Sequence, residues 1–393
     1  MDQDPLGNRL TVNIGPSHPV THGTLRFLCE LDGEVIVSCL PEIGYLHRAF
    51  EKSSEKGSYT EVIPYTDRLN YCSAMMNNVG YCMAVEKFFD LTIPERGIYV
   101  RMIVSEMSRI MDHLVCIGTN AVDLGALTNF WYFFQAREEL YDLIESLCGA
   151  RLTTTYTRIG GVMADLPEGW AGRLEALLAK LYKVLEDVDG LLTKNRIFID
   201  RTRGVGGISA EDAIGYGFTG PCLRACGVAH DLRKANPYMF YDRFQFDVPT
   251  GERGDVYDRY LVRMAEMRQS LRLLEQLLAT LPGGPVNADN PLVVLPPKEK
   301  VYGSIEGLIS QFELIIKGVQ PPAGEVYVAT EAANGELGFY IVSDGTGRPY
   351  RVRVRPPCFP LMSSMPHLVK GQMLADMVAT LGSINIIAGE LDR

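Results

Sequence analysis

The chain has 393 residues, 47% apolar and 22% charged, with a formal net charge of −10 and a pI near 5.2. That length can bury a large core, and the composition is that of an ordinary soluble protein. The acidic balance, with no basic cluster against it, argues against a nucleic-acid partner. Basic residues such as Arg101, Arg109, Arg201 and Arg203 lie among acids, the pattern of solvated faces. The start, Met1-Asp2-Gln3-Asp4-Pro5, is acidic and unlike a secretory leader, and no run of about eighteen apolar residues offers a membrane span. Nine cysteines, an odd number without a disulfide-like framework, fit a reducing cytoplasm.

Residues 10–40 alternate in polarity and break at Leu31-Asp32-Gly33-Glu34, an Asp-Gly hairpin signal between two strands. Within them lies Gly15-Pro16-Ser17-His18-Pro19-Val20-Thr21-His22-Gly23. Its prolines deny a regular helix and its glycines bracket a tight loop that presents two imidazoles. Such a loop suits proton handling near neutral pH. The plainer alternative has both rings capping backbone groups. Zinc is the least favoured, since a His-x-x-x-His pair binds metal best on the helix face the prolines forbid.

From about residue 67 to 148 the texture is helical. Phe130, Phe133, Phe134, Leu140, Ile144 and Leu147 predict a helix over 127–148, and the leucine stripe from Leu174 to Leu192 predicts another over 170–193. A third runs over 254–281, stopped by Pro282-Gly283-Gly284, with Met264 and Met267 as core fillers. Pro291–Pro297 is a connector, and 325–331, 337–343 and 350–355 read as short strands. The layout is α+β, mainly α: a β-rich segment 1–66 carrying the histidine loop, a helical bundle 67–285 and a β-rich segment 286–393.

Several chemistries lack their motifs. Gly204-Val205-Gly206-Gly207-Ile208-Ser209 has no strand-to-helix setting for a dinucleotide loop. Without any Cys-x-x-Cys pair, the chain would hold no iron–sulfur cluster unaided, and Cys222 and Cys226 read as free thiols.

Taken together, the histidine loop, Gly44-Tyr45-Leu46-His47-Arg48-Ala49-Phe50-Glu51-Lys52, Asp123-Leu124-Gly125-Ala126-Leu127-Thr128, Arg158-Ile159-Gly160-Gly161-Val162, Phe246-Asp247-Val248-Pro249 and the ending Gly389-Glu390-Leu391-Asp392-Arg393 resemble one family. It is the D-type subunit of respiratory complex I, the proton-pumping NADH:quinone oxidoreductase, and the likeness runs from about residue 9 to the last residue. The resemblance implies a fold like the large subunit of nickel–iron hydrogenases, a long-helix bundle flanked by small antiparallel sheets. Hydrogenases hold their metals with two Cys-x-x-Cys pairs, the second near the C-terminus. Here the last cysteine is Cys358, so no metal site is expected, and the old metal cavity becomes the inner end of a quinone pocket.

The resemblance also implies the site. His22 and Tyr71 would hydrogen-bond the quinone head group and donate protons, with quinone as substrate. Asp123 would partner the histidine, fixing its tautomer and favouring imidazolium. Read without the family, Tyr71 is a core tyrosine bonded to a carbonyl, and Asp123 an N-cap for the helix that Leu124 opens. Arg48 and Arg68 would lie near the [4Fe-4S] cluster of a partner subunit, or else pair with Glu51 or Asp67. His18 is expected to shape the loop. Three positions depart from the family pattern. Thr153 stands where many members place a histidine beside the cluster, implying a lower, pH-independent potential that suits menaquinone over ubiquinone. Asn70 stands where an acid often precedes the tyrosine, and Asn129 replaces a common proline. The expected role is the quinone-binding peripheral subunit of a proton-translocating NADH:quinone oxidoreductase, on the cytoplasmic side of a bacterial inner membrane. Its expected partners are subunits of the B, C, I and H types. A ferredoxin-linked relative, or a silent hydrogenase-derived scaffold, is the alternative.

Overall fold

A computed structural model describes residues 9–393; the acidic start read as unlike a leader lies outside the described residues. Three antiparallel strands, β1 (Arg9–Ile14), β2 (Arg26–Asp32) and β3 (Val35–Glu42), form a meander in that order. The Asp-Gly hairpin closes on Gly33–Glu34, with Asp32 opposite Val35 and Gly33 at φ +62°, where the missing Cβ removes the steric penalty. The strand expected at the start of this region is divided in two by the histidine loop.

The long helices follow: α1 (Ala74–Lys87), α2 (Glu95–Asp123), α3 (Leu127–Cys148), α4 (Trp170–Leu192) and α5 (Val256–Ala279). Leu174, Leu177, Leu178, Leu181, Leu185, Val188 and Leu192 of α4 are all buried, as the stripe requires, and they join α2, α3 and α5 in one apolar core. Met264 and Met267 lie in that core. No helix among the described residues is long and apolar enough to cross a membrane.

Helix α2 is buried on nearly every face, although its sequence carries Arg101, Glu106, Arg109, Asp112 and His113. The reading of Arg101 and Arg109 as solvated is therefore corrected: both are fully buried. Arg101 forks onto Glu86 at 2.5 and 2.9 Å, and Arg109 donates to the Glu331 and Ala332 carbonyls. A charge can leave water when it finds a partner in good geometry, and these partners come from distant segments. The same logic extends through Glu106, Arg233, Asp231, Arg224, Glu266 and His113, a continuous buried ion network.

The last third is mixed. Helix α6 (Ile305–Ile316) precedes a three-stranded antiparallel sheet, β4 (Gly324–Ala332), β5 (Gly335–Ser343) and β6 (Arg351–Arg355), and α7 (Leu374–Ile384) follows it. The β4–β5 hairpin packs its Leu337, Phe339 and Ile341 on Tyr81, Cys82 and Val85 of α1. The N-terminal sheet finds its cover at the other end of the chain. Phe27, Cys29, Leu31 and Ile36 pack with Leu368, Met377 and Leu381, and Ile36 exchanges backbone hydrogen bonds with Gly371 and Gln372. This packing fixes the loop between β1 and β2 against the terminal helices.

Candidate functional site

The β1–β2 loop is ordered by its own side chains. His18 sits in extended backbone, its Nδ1 accepts from the Val20 amide at 3.2 Å, and Pro19–Thr21 make one 3₁₀ turn. His18 thus shapes the loop, and its ring is the one that caps. His22 follows in the left-handed region at φ +52°, its amide tied to the Pro19 carbonyl. That bend carries its imidazole away from the loop. Nε2 lies 2.5 Å from Oδ2 of Asp123. A carboxylate only accepts, so Nε2 is the donor, and a second proton on the ring must sit at Nδ1.

Asp123 is the last residue of α2, and α3 opens at Leu127 behind Ala126 with no side-chain cap. The N-cap alternative for Asp123 is therefore overturned: the chain turns through Leu124 and Gly125 first, and the carboxylate is left free for His22. Asn129 is buried in the first turn of α3.

Tyr71 opens a second 3₁₀ turn, Tyr71–Ser73, whose cap is Asn70; Asn70 Oδ1 accepts from the Cys72 amide at 3.1 Å. The Tyr71 hydroxyl has no hydrogen-bond partner among the described residues, so the carbonyl-bonded core tyrosine is not what forms. Tyr71, His22 and Asp123 all line one cavity of about 370 Å³. Its other walls are mostly apolar: Val115 and Val122 of α2, Leu127 and Phe130 of α3, and Ile386 and Ile387 beyond α7. Burial, then the nearby Cys72, Asp112 and Cys358 groups, push the Tyr71 phenol above its ordinary pKa, so it keeps its proton across the physiological range.

Arg48 and Arg68 are not in the cavity. Arg48 donates to the Arg68 carbonyl at 2.8 Å and the Gly389 carbonyl at 3.1 Å, and Arg68 donates to the Pro64 carbonyl at 2.6 Å. Neither pairs with Glu51 or Asp67. Glu51 is taken by Arg353, while Asp67 is buried and accepts from Thr155. Burial, and next the Arg68 charge, lower the Arg48 pKa. Both arginines are exposed, and among the described residues neither guanidinium makes a salt bridge, although the Asp392 carboxylate acts on Arg48. Thr153 is half-buried in the Arg151–Thr155 stretch.

Asp112 and Asn385 belong to none of the motifs read from the sequence, and Glu390, within the terminal motif, carries no expected role there. Asp112 is buried and accepts from Asn70 and Asn385, each at 2.7 Å; Glu390 is buried and accepts from the Cys358 amide at 3.1 Å. One signal is present. Asp112, Val115, Thr119 and Val122 fall at helical spacing with Asp123 beside the last, so one face of α2 is aimed at the site.

The family described as respiratory-chain NADH dehydrogenase, 49 kDa subunit, matches residues 123–393. The C/D-type NADH-quinone oxidoreductase subunit of Bdellovibrio bacteriovorus is 59% identical over 384 residues, covering 98% of this chain and 69% of that protein. The D-type subunit of Myxococcus xanthus is 56% identical, covering 98% of this chain and 93% of its own length. One of the D-type subunits of an Anaeromyxobacter strain is 52% identical, covering 99% and 90%. The protein is thus part of a respiratory oxidoreductase, mainly helical with a small sheet toward each end. It belongs to the family of 49 kDa subunits of NADH dehydrogenase, the D-type subunits of the bacterial NADH-quinone oxidoreductases.

Proposed function

We propose that the cavity between the His22 loop, the Tyr71 turn and the end of α2 receives the head group of a quinone, and that His22 and Tyr71 deliver protons as it becomes a quinol. The observation that carries this is the His22–Asp123 pair, 2.5 Å apart, opening onto the same 370 Å³ cavity as the unpartnered Tyr71 hydroxyl. Reduction of a quinone takes two electrons and two protons, and each carbonyl oxygen ends as a hydroxyl. The electrons would come from a [4Fe-4S] cluster in an adjoining small subunit, and the exposed Arg48 and Arg68 edge is where a negatively charged neighbour is best received. Within this chain, Asp123 holds the imidazole in one tautomer, and Tyr71 stays protonated until an oxyanion develops beside it. The apolar walls keep water from competing for the same oxygen.

In this reading the protein works at the cytoplasmic face of a bacterial inner membrane among subunits of the B, C, I and H types. The energy released drives proton pumping in membrane subunits. NADH is the donor the relatives' names carry; a ferredoxin donor would leave this site unchanged. Thr153 favours menaquinone: a threonine does not titrate, so the neighbouring cluster should show a low potential that is flat with pH. A redox titration of the complex giving a histidine-like slope would refute that point.

The central test is His22→Ala and Tyr71→Phe in the intact complex. Each should lower quinone reduction at least about a hundredfold, the usual worth of a positioned proton donor, while NADH oxidation by ferricyanide stays intact. Unchanged quinone reduction in both would leave the chain as a scaffold for its cluster-bearing partner.

A further inference from the structure

We infer that Asp112 is a positioning residue of this pocket, a carboxylate that clamps the Tyr71 turn and the Asn385–Ile387 wall to one point on α2. The inference rests on the quinone-pocket reading and names what holds that pocket in shape.

The two segments come from distant parts of the sequence, and nothing in the covalent chain keeps them in register. Asp112 does so with both oxygens. Oδ2 accepts from Asn70 Nδ2 and Oδ1 from Asn385 Nδ2, each at 2.7 Å, with the acid 1% exposed. Both asparagines are committed at their other ends. Asn70 Oδ1 takes the Cys72 amide, and the Asn70 carbonyl takes Asn77 Nδ2 at 2.9 Å, so its side chain and backbone together set the turn that carries Tyr71. Asn385 lies in the left-handed region at φ +54°, its carbonyl accepts from Asn334 Nδ2 at 3.0 Å, and the next two residues are the cavity wall.

The chemistry needs a carboxylate at this point. Two amide N–H groups converge, so the group between them must accept on both sides, and a carboxylate does so without a hydrogen in the way. No cation pairs with Asp112 among the described residues; it is satisfied by amide dipoles, and burying a charge so is costly unless those bonds are kept. Asn70 is also where the sequence lacks the acid expected before the tyrosine. The carboxylate is present after all, one hydrogen bond further back and supplied by α2 in place of the turn.

The experiment exchanges the pair. In the intact complex, Asp112→Asn leaves an amide facing an amide and opens one side of the clamp. Combining Asn70→Asp with Asp112→Asn restores both sides, since the new amide on α2 would donate to the new carboxylate on the turn and accept from Asn385. The single variant is expected to raise KM for a short-tailed quinone about tenfold, the loss of one charge-assisted hydrogen bond, with ferricyanide reduction unchanged. The reciprocal pair should return KM to within about threefold of the parent, since the same number of hydrogen bonds is then made. A single variant with normal KM and kcat overturns the inference, as does a reciprocal pair that assembles without recovering. Should Asp112→Asn prevent assembly, the reciprocal pair decides alone: recovery of assembly and KM supports the clamp, and continued failure overturns it. Normal quinone reduction by Tyr71→Phe would sink the pocket reading itself, whereas its loss beside a silent Asp112→Asn sinks only the clamp.

Discussion

Glu390 lies with its carboxyl against the Cys358 amide, shut away from water, and that burial pushes its pKa up to about 7. The Cys358 amide pulls the other way and is outweighed. An acid whose folded pKa exceeds its unfolded value, near 4.5, holds its proton more tightly in the native state. Its favourable contribution is complete below about pH 4.5 and is lost as pH rises through about 7. Glu390→Gln should therefore flatten the fall in melting temperature between about pH 4.5 and 7, a difference on the order of 3 kcal/mol at about 1.4 kcal/mol per unit. Parallel melting curves for parent and variant across that window would show that the carboxyl is not held as described. Tyr71 responds to the same cause, since burial raises the pKa of its phenol as it does that of the Glu390 carboxyl.

Among the elements, those built on a regular apolar stripe are legible from spacing alone. The helix expected over 127–148 runs Leu127–Cys148, that over 170–193 runs Trp170–Leu192, and that over 254–281 runs Val256–Ala279. The three C-terminal strands also fall within a residue or two of expectation. Periodicity gives way where tertiary partners decide. Arg101 and Arg109 look solvated along α2, and only the arrival of Glu86 and the β4 carbonyls makes their burial possible. Helix α6 is an exception of another kind: Ile305, Leu308, Ile309, Phe312, Ile315 and Ile316 fall at helical spacing, but in the folded chain that stripe is exposed. The site is legible by motif and not by pattern: nothing in local sequence brings His22, Tyr71 and Asp123 to one cavity. Asp112 escapes for the same reason, as its two partners are Asn70 and Asn385.

For the molecule as a whole, the surface is unevenly finished. Tyr302, Ile305, Leu308, Phe312, Ile315 and Ile316 are each more than half exposed, along α6 and the short helix Lys298–Gly303 before it. A stable monomer seldom leaves so large an apolar patch to solvent, and one chain of a multi-chain oxidoreductase has neighbours to cover such a face. The isolated protein is expected to self-associate, and Ile309→Glu with Phe312→Glu should shift it toward monomer in light scattering at equal concentration. If the doubly charged variant associates as strongly as the parent, this helix is not what drives it. The buried ion network works in the other direction. Arg109 and Arg233, with hydrogen bonds from Ser270 and Tyr241, overcome burial to bring Glu106 down to about 2, so its contribution persists above pH 4.5 and is lost only on approach to 2.

The wall supplied by Asn385, Ile386 and Ile387 also bears on timing. During synthesis the ribosome releases the histidine loop early and this wall only after every long helix has emerged. A product stopped before those residues would contain every residue of the α2–α5 core and yet lack one wall of the proposed pocket. Completion of the proposed pocket thus waits on Asn385, Ile386 and Ile387, which follow every long helix in chain order.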